Sequence, residues 1–325
     1  MHKPLVSVVM ATYNGAKFLA PQLDSILAQT YSNLEIIVVD DASKDATRDI
    51  LADYQRRDSR ICVIYAARNR GVVATFEEAL RHANGEFIAL SDQDDVFHVE
   101  KLARQVDCLL EHPAADIALS DLTLINEQGD VMAASMWEYQ HLPVKAGKPF
   151  SQLLCSNFAT GCAMMVRRRL LDVAIPFPPD CMVHDWWLSV LSASSRGGGI
   201  AIIPEALTYY RQHASNVIGA SKGGVFAALR RVRTIEARCD ACRKNVLRLE
   251  GYLARDIWSD ADRKAIRALH ELMQEMAADD RNGLPTRLAS LRTRVHYALP
   301  FGWFRILGMI AHALCPRCLD NSSGN

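Results

Sequence analysis

The sequence predicts an α/β fold: a mostly parallel, Rossmann-like sheet flanked by helices and followed by a helical C-terminal region. Three observations predict it. Short, β-branched apolar runs alternate with amphipathic stretches through the first two thirds of the chain. Those runs are nearly continuous in hydrophobicity, as strands covered on both faces require. Beyond about Ser221 the runs give way to apolar residues at helical spacing. With 325 residues, half of them hydrophobic and 23% charged, the chain can bury a large core and is not intrinsically disordered.

In chain order, the strand runs are Leu5–Met10, Glu35–Val39, Ile61–Tyr65, Glu86–Leu90, Ile117–Leu124, Cys162–Val166 and Ile200–Ile203. The helical patterns between them are Lys17–Gln29, Thr47–Arg57, Val72–Ala83 and Val99–Glu111. A βαβα rhythm of this kind sends ligands to the carboxyl ends of the strands. Lys3 followed by Leu5–Ala11 imitates a signal peptide, but the run is short and lacks a small-residue cleavage pattern. A buried first strand is expected instead. Past Ser221, Val232, Ile235, Cys239, Cys242, Val246, Leu249 and Leu253 form a heptad stripe. Ile266, Leu269, Met273 and Met276 form a second stripe, and Leu288, Leu291 and Val295 a third. A boundary near Gly223-Gly224 therefore separates a sheet domain, 1–221, from a helical region, 222–325.

Lys+Arg and Asp+Glu both total 37, for a net charge of zero. A nucleic-acid binder needs excess positive charge, so that class is excluded for the chain as a whole. The zero hides an asymmetry: residues 1–221 carry 19 basic and 26 acidic side chains, net −7, and the rest 18 and 11, net +7. The tail from Arg281 interleaves Tyr297, Phe301, Trp303 and Phe304 with Arg287, Arg292, Arg294 and Arg305. It suits an anionic membrane surface, or packs onto the sheet domain or a second copy in a homodimer. Tyr297–Leu314 is the nearest approach to a spanning segment, but Pro300, Gly302, Arg305 and His312 interrupt it. Nine cysteines without small-scaffold density read as reduced thiols in a cytoplasmic protein. The pairs Cys239/Cys242 and Cys315/Cys318 have the spacing of zinc ligands. Cys239 and Cys242, however, fall on an apolar stripe and read better as buried small hydrophobes.

Three acidic groups follow strand runs. In Val39-Asp40-Asp41-Ala42-Ser43 the carboxylates either meet a ligand at the sheet edge or cap the next helix. In Ser91-Asp92-Gln93-Asp94-Asp95 three carboxylates within four positions repel one another unless a cation sits among them. A hard divalent ion that also bridges a pyrophosphate is favoured over a solvated capping turn. In His184-Asp185-Trp186-Trp187, either Asp185 is a general base between aromatic walls that also stack on sugar rings, or Asp185 is a helix N-cap and both Trp are core. Tyr210-Arg211-Gln212-His213 then returns a cation and an imidazole after the last strand.

Taken in order, Val6–Asn14, Gln29-Thr30-Tyr31, Val39–Ser43, Asn69-Arg70-Gly71-Val72, Ser91–Asp95, Thr160-Gly161-Cys162, His184–Trp187 and Tyr210–Gly219 resemble the family 2 glycosyltransferases of GT-A fold. The later motifs are most similar to the rhamnosyltransferase-like branch that builds bacterial surface polysaccharides. The resemblance covers roughly residues 4–220.

It implies that Thr12, Tyr13, Asn14 and Asn69 line a nucleotide pocket and that Asp41 accepts from a pyrimidine imide. Asp92 would lie near ribose and metal, Asp94 would ligate Mg2+ or Mn2+, and His213 would complete that site. Asp185 would be the base of an inverting reaction, and Gly161, Trp186 and Trp187 would border the acceptor. The implied partners are a nucleoside-diphosphate sugar, dTDP-rhamnose or a UDP-sugar, and a glycan or lipid-linked glycan at the inner face of the cell membrane. His184 departs from the acid that many members carry before the base. A sugar-nucleotide nucleotidyltransferase is the rival enzyme, but Thr12–Lys17 lacks its Gly-rich basic loop. A non-catalytic glycan- or nucleotide-binding protein is the rival outside enzymes.

Overall fold

The computed structural model describes residues 3–213 and 235–278. The elements are β1 (Val6–Thr12), α1 (Leu19–Leu27), β2 (Leu34–Asp40), α2 (Thr47–Arg57), β3 (Ile61–Tyr65), α3 (Val72–His82) and β4 (Phe87–Ser91). Next come β5 (Val96–Phe97), α4 (Lys101–Glu111), β6 (Ile117–Ile125), β7 (Val131–Ala133), α5 (Met136–Tyr139) and α6 (Phe150–Cys155). A single 3-10 turn, Gly161–Ala163, leads into β8 (Met164–Arg167), α7 (Arg168–Ala174), α8 (His184–Ala193) and β9 (Ile200–Arg211). Two long helices complete the set, α9 (Ile235–Leu253) and α10 (Asp260–Ala278).

One nine-stranded sheet runs β3-β2-β1-β4-β8-β6-β9-β5, with β7 paired to β6. The block β3-β2-β1-β4 is wholly parallel, and β6 and β9 run the same way. β8 is antiparallel to both β4 and β6, while β5 and β7 oppose β9 and β6. The carboxyl ends of the six co-directional strands therefore share one edge, and so does the start of β8.

The core follows from the strand composition. Val6, Val8, Val9 and Met10 of β1 are fully buried, as are Ile36 and Val38 of β2 and Ile88, Ala89 and Leu90 of β4. Alternate residues Val6, Val8 and Met10 pack with Leu19, Leu23 and Ile26 of α1 and Leu102, Val106 and Leu109 of α4. α3 packs on β1 and β2. Each such side chain contributes roughly 1.5–3 kcal/mol of burial, which fixes the sheet and hence the loops at its edge.

Two boundaries differ from the sequence expectation. The run Cys162–Val166 pairs only from Met164, because its first residues form the 3-10 turn. The run Ile200–Ile203 continues as a twelve-residue strand to Arg211. Exposed Pro204 and Glu205 interrupt its hydrophobicity at a register shift against β6, and pairing with β6 and β5 carries the strand through.

The chain divides into two compact units, one holding the sheet. The other joins Phe150–Ser156 and Pro178–Asp180 to the C-terminal helices. There Cys242, Leu249 and Tyr252 of α9 and Ile266, Leu269, Leu272 and Met273 of α10 are buried. Val246 is only half-buried and Arg248 is buried instead, its Nη2 donating to the Leu154 carbonyl at 2.7 Å. Among the described residues no helix is long and apolar enough to cross a membrane. The expectations for 214–219, Gly223-Gly224, Val232, the side chains of Ile235, Cys239 and Met276, and everything from Arg281, including Cys315/Cys318 and the basic tail, lie outside the described residues.

Candidate active site

The site is assembled from loops at the carboxyl edge of the sheet, beginning at the parallel block. After β1, Thr12 is buried, Tyr13 is 43% exposed and Asn14 takes a left-handed conformation with φ 47°. The Asn14 N–H donates to Ser43 Oγ, and its side-chain oxygen accepts from the Lys44 N–H. These bonds tie the first loop to the second. After β2, buried Asp41 accepts from the N–H groups of Arg70 and Gly71 at 2.8 and 2.9 Å. It thereby anchors the loop bearing Asn69, which is exposed. Neither Asp40 nor Asp41 caps α2, whose N-cap is Ala46. Asp40 accepts from the Ser43 N–H and Arg48 Nε.

Next, the acidic loop follows β4. Asp95 is fully buried, and its Oδ1 accepts from the Arg211 N–H at 3.0 Å. Asp94 pairs with His213, Oδ2 to Nε2 at 2.7 Å. Arg211 braces the same loop, its Nε donating to the Asp94 carbonyl at 2.9 Å, with its guanidinium over the Phe18 ring. Asp92 is half-buried, and its carboxyl is held well above its ordinary range by burial and then by Asp95, Asp94 and Asp185. An internal cation also lies near. Lys101 of α4 is fully buried, and burial pulls its ammonium down to about 8.

These residues bear on the divalent ion. Asp92 and Asp94 offer hard carboxylate oxygens and His213 an imidazole beside them, a donor set that suits Mg2+ or Mn2+. A second grouping, Asp92, Asp95 and Cys162, brings ligand atoms within 4.8 Å of one another. It suits a hard ion poorly. Burial raises the Cys162 thiol well above its usual range, so it stays protonated, and the Lys101 ammonium lies alongside.

Finally, Asp185 sits in the first turn of α8. The helix has Val183 as its N-cap and no side-chain cap, so Asp185 is not the cap. Its Oδ1 accepts from Asn157 Nδ2 at 2.9 Å and its Oδ2 from the Gly161 N–H at 2.8 Å. Burial nevertheless pushes the carboxyl up to about 7, with these hydrogen bonds opposing the rise. His184 beside it is buried and stacked on Phe76, ring centroids 3.8 Å apart, and burial holds it down at about 3. Neither ring nitrogen has a hydrogen-bond partner. Trp186 is half-buried, whereas Trp187 is fully buried with its Nε1 donating to the Ala174 carbonyl at 3.1 Å. Trp187 is thus a core residue that presents no face to an acceptor, which corrects the acceptor expectation for Trp187 alone.

The structure therefore brings Asp92, Asp94, His213, Gly161 and Asp185 to one edge, with Thr12, Tyr13, Asn14 and Asp41 on the loops after β1 and β2. Sequence reasoning missed Asn157, Lys101 and Gln105. The last two carried a signal: spaced i, i+4, they adjoin the buried stripe Leu102-Val106-Leu109 of α4.

The comparisons agree with this geometry. The sequence profile of glycosyl transferase family 2 matches residues 7–173. The chain is 39% identical over 222 residues to the putative teichuronic acid biosynthesis glycosyltransferase TuaG of Bacillus subtilis, spanning 68% of this chain and 83% of that one. It is 34% identical over 215 residues to an uncharacterized protein of Mycobacterium bovis, spanning 65% of this chain and only 60% of the relative. Among solved structures, S. aureus TarS 1–349 in complex with UDP-GlcNAc superposes with a TM-score of 0.57 at 19% identity, over 91% of this chain and 81% of that chain. The mannosyltransferase PcManGT of Pyrobaculum calidifontis, in complex with GDP-Man and Mn2+, gives 0.52 at 20% identity, over 99% and 89%. At those identities the structures speak to the fold alone. The sequence profile, with its motifs on the edge loops just described, shows that this chain belongs to glycosyl transferase family 2.

Proposed function

We propose that the protein moves a sugar from a nucleoside-diphosphate donor to a hydroxyl of a growing surface polysaccharide or lipid-linked glycan, with inversion at the anomeric carbon and Mg2+ or Mn2+ bound. One observation carries the reading. Asp185, a buried carboxylate titrating near neutrality, lies within electrostatic reach of Asp92 in the acidic loop. We read the two as base and donor-binding carboxylate acting on one site, the pairing that a single displacement requires.

Asp185 takes the proton of the acceptor hydroxyl while the Gly161 N–H and Asn157 hold its oxygens in place. The hydroxyl oxygen attacks the anomeric carbon from the face opposite the diphosphate, and the bond from that carbon to the diphosphate oxygen breaks. Asp94 and His213, held together, would ligate the cation with Asp92. When bound, the cation supplies positive charge against the negative charge developing on the leaving diphosphate. Tyr13, Asn14 and the loop anchored by Asp41 would receive the nucleotide.

L-rhamnose on dTDP is our leading donor, with UDP-hexoses next. Similarity to TuaG supports the acceptor class, and the UDP-GlcNAc and GDP-Man complexes of the structural relatives support a sugar-nucleotide donor. The basic, aromatic tail from Arg281 would hold the enzyme at the inner membrane face. Incubating the full chain with dTDP-rhamnose, UDP-glucose, UDP-GlcNAc and GDP-mannose in Mn2+ tests the reading. Release of nucleoside diphosphate from one donor, abolished by EDTA, is expected. Absence of release from all four, or release indifferent to EDTA, contradicts it.

A further inference from the structure

The turn Gly161–Ala163 stands outside the sheet ladder, so its buried carbonyls need other donors. Four side chains supply them. Lys101 and Gln105, one helical turn apart on α4, donate to the carbonyls of Cys162 and Ala163, the latter at 2.8 Å. Thr208 of β9 donates to the Cys162 carbonyl at 3.1 Å and Ser120 of β6 to the Ala163 carbonyl at 3.3 Å. Lys101, Gln105 and Ser120 are all fully buried. An enclosed ammonium costs several kcal/mol, and apolar residues would fill an α4 core position without that cost. The other side of the turn faces the chemistry: the Gly161 N–H donates to Asp185 Oδ2, and the Cys162 sulfur lies with the carboxylates of Asp92 and Asp95, all within 4.8 Å of one another.

We propose that Lys101 and Gln105 are positioning residues for Asp185. They fix the two carbonyls of the turn, and the turn in turn aims the Gly161 N–H at Oδ2. Asp185 lies in the first turn of a helix with its carboxylate enclosed, so its direction is set by the two N–H groups that grip it. A shift of about 1 Å in such a group costs on the order of a hundredfold in rate. The inference rests on the reading of Asp185 as the base.

Transfer kinetics of Gln105→Leu, Lys101→Met and Asp185→Asn in the full chain test it. Lys101→Met also strips a cation from beside Asp95, so Gln105→Leu, which leaves every charge in place, is the deciding variant. We expect kcat to fall about tenfold or more with donor KM within twofold of wild type. We also expect Gln105→Leu to change nothing further in the Asp185→Asn background, since its effect passes through that carboxylate. An unchanged kcat in Gln105→Leu, an equal loss in both backgrounds, or kcat and donor KM shifting together overturns the proposal. A normal rate in Asp185→Asn removes the base assignment and this inference with it. A dead Asp185→Asn beside a normal Gln105→Leu removes this inference alone.

Discussion

The backbone N–H of Gly161 donates to Oδ2 of Asp185 at 2.8 Å, and a side chain at residue 161 would crowd the neighbouring His184. A Cβ there would lie 3.4 Å from that oxygen and 3.1 Å from Nε2 of His184. Gly161→Ala should therefore push His184 or the turn aside by a few tenths of an ångström and misaim the carboxylate. The expected outcome is a loss of about tenfold in kcat with little change in donor affinity. Steady-state kinetics with the donor varied will show it, and a wild-type kcat would mean that the contact does not orient Asp185.

The pH profile follows from the same carboxylate. Burial raises Asp185 from its ordinary 3.8 to about 7, and a base works only when deprotonated. Transfer should thus fall about tenfold per unit below pH 7, with the acidic limb near 7 rather than near 4. A profile flat down to pH 5 would place the essential base elsewhere.

His184 should weaken the fold in acid. Its folded value, about 3, lies below the ordinary 6.5, so the neutral form is favoured by folding and the unfolded chain binds the extra proton. Its contribution is intact above about 6.5 and is lost as pH falls from there toward 3. At pH 5 the loss amounts to about 2 kcal/mol. His184→Leu, which removes both unpartnered ring nitrogens, should flatten that decline in denaturant titrations at pH 7 and pH 5. An equally steep decline in the variant would contradict the account.

Asp41 spends both oxygens on the N–H groups of Arg70 and Gly71. In Asp41→Asn one of those N–H groups meets an amide NH2 and is left unsatisfied, at about 1–3 kcal/mol. The variant should melt at a lower temperature and bind donor more weakly, because the loop carrying Asn69 loses its anchor. Thermal denaturation alongside donor titration checks both, and unchanged values would show that the loop holds its place without Asp41.

Much of this architecture is written locally. The runs of β1, β2 and β4 are buried on both faces, so their hydrophobicity alone marks them, and Asp41, Asp92 and Asp94 follow at the carboxyl ends of β2 and β4. What depends on distant pairing was not legible. β5 is two residues long and exists through its bonds to β9, and β7 pairs only at an edge. The spacing of Lys101 and Gln105 beside the buried stripe of α4 marks them as unusual, but the two carbonyls they serve lie some sixty positions later, so their role was not legible. Trp187 next to Asp185 suggested a sugar-stacking wall, yet α8 turns it inward onto the Ala174 carbonyl. The acidic triple also misled in part. Asp95 belongs to the scaffold under the loop, bonded to the Arg211 N–H, while Asp92 and Asp94 stay with the site.

The most direct measurement is sugar transfer by Asp185→Asn, made together with calorimetric binding of the donor in Mn2+. The account predicts that donor binding persists within a fewfold while transfer drops by about a hundredfold or more, since general-base catalysis contributes about 10²–10⁴. Transfer at the wild-type rate with the carboxylate gone would contradict it.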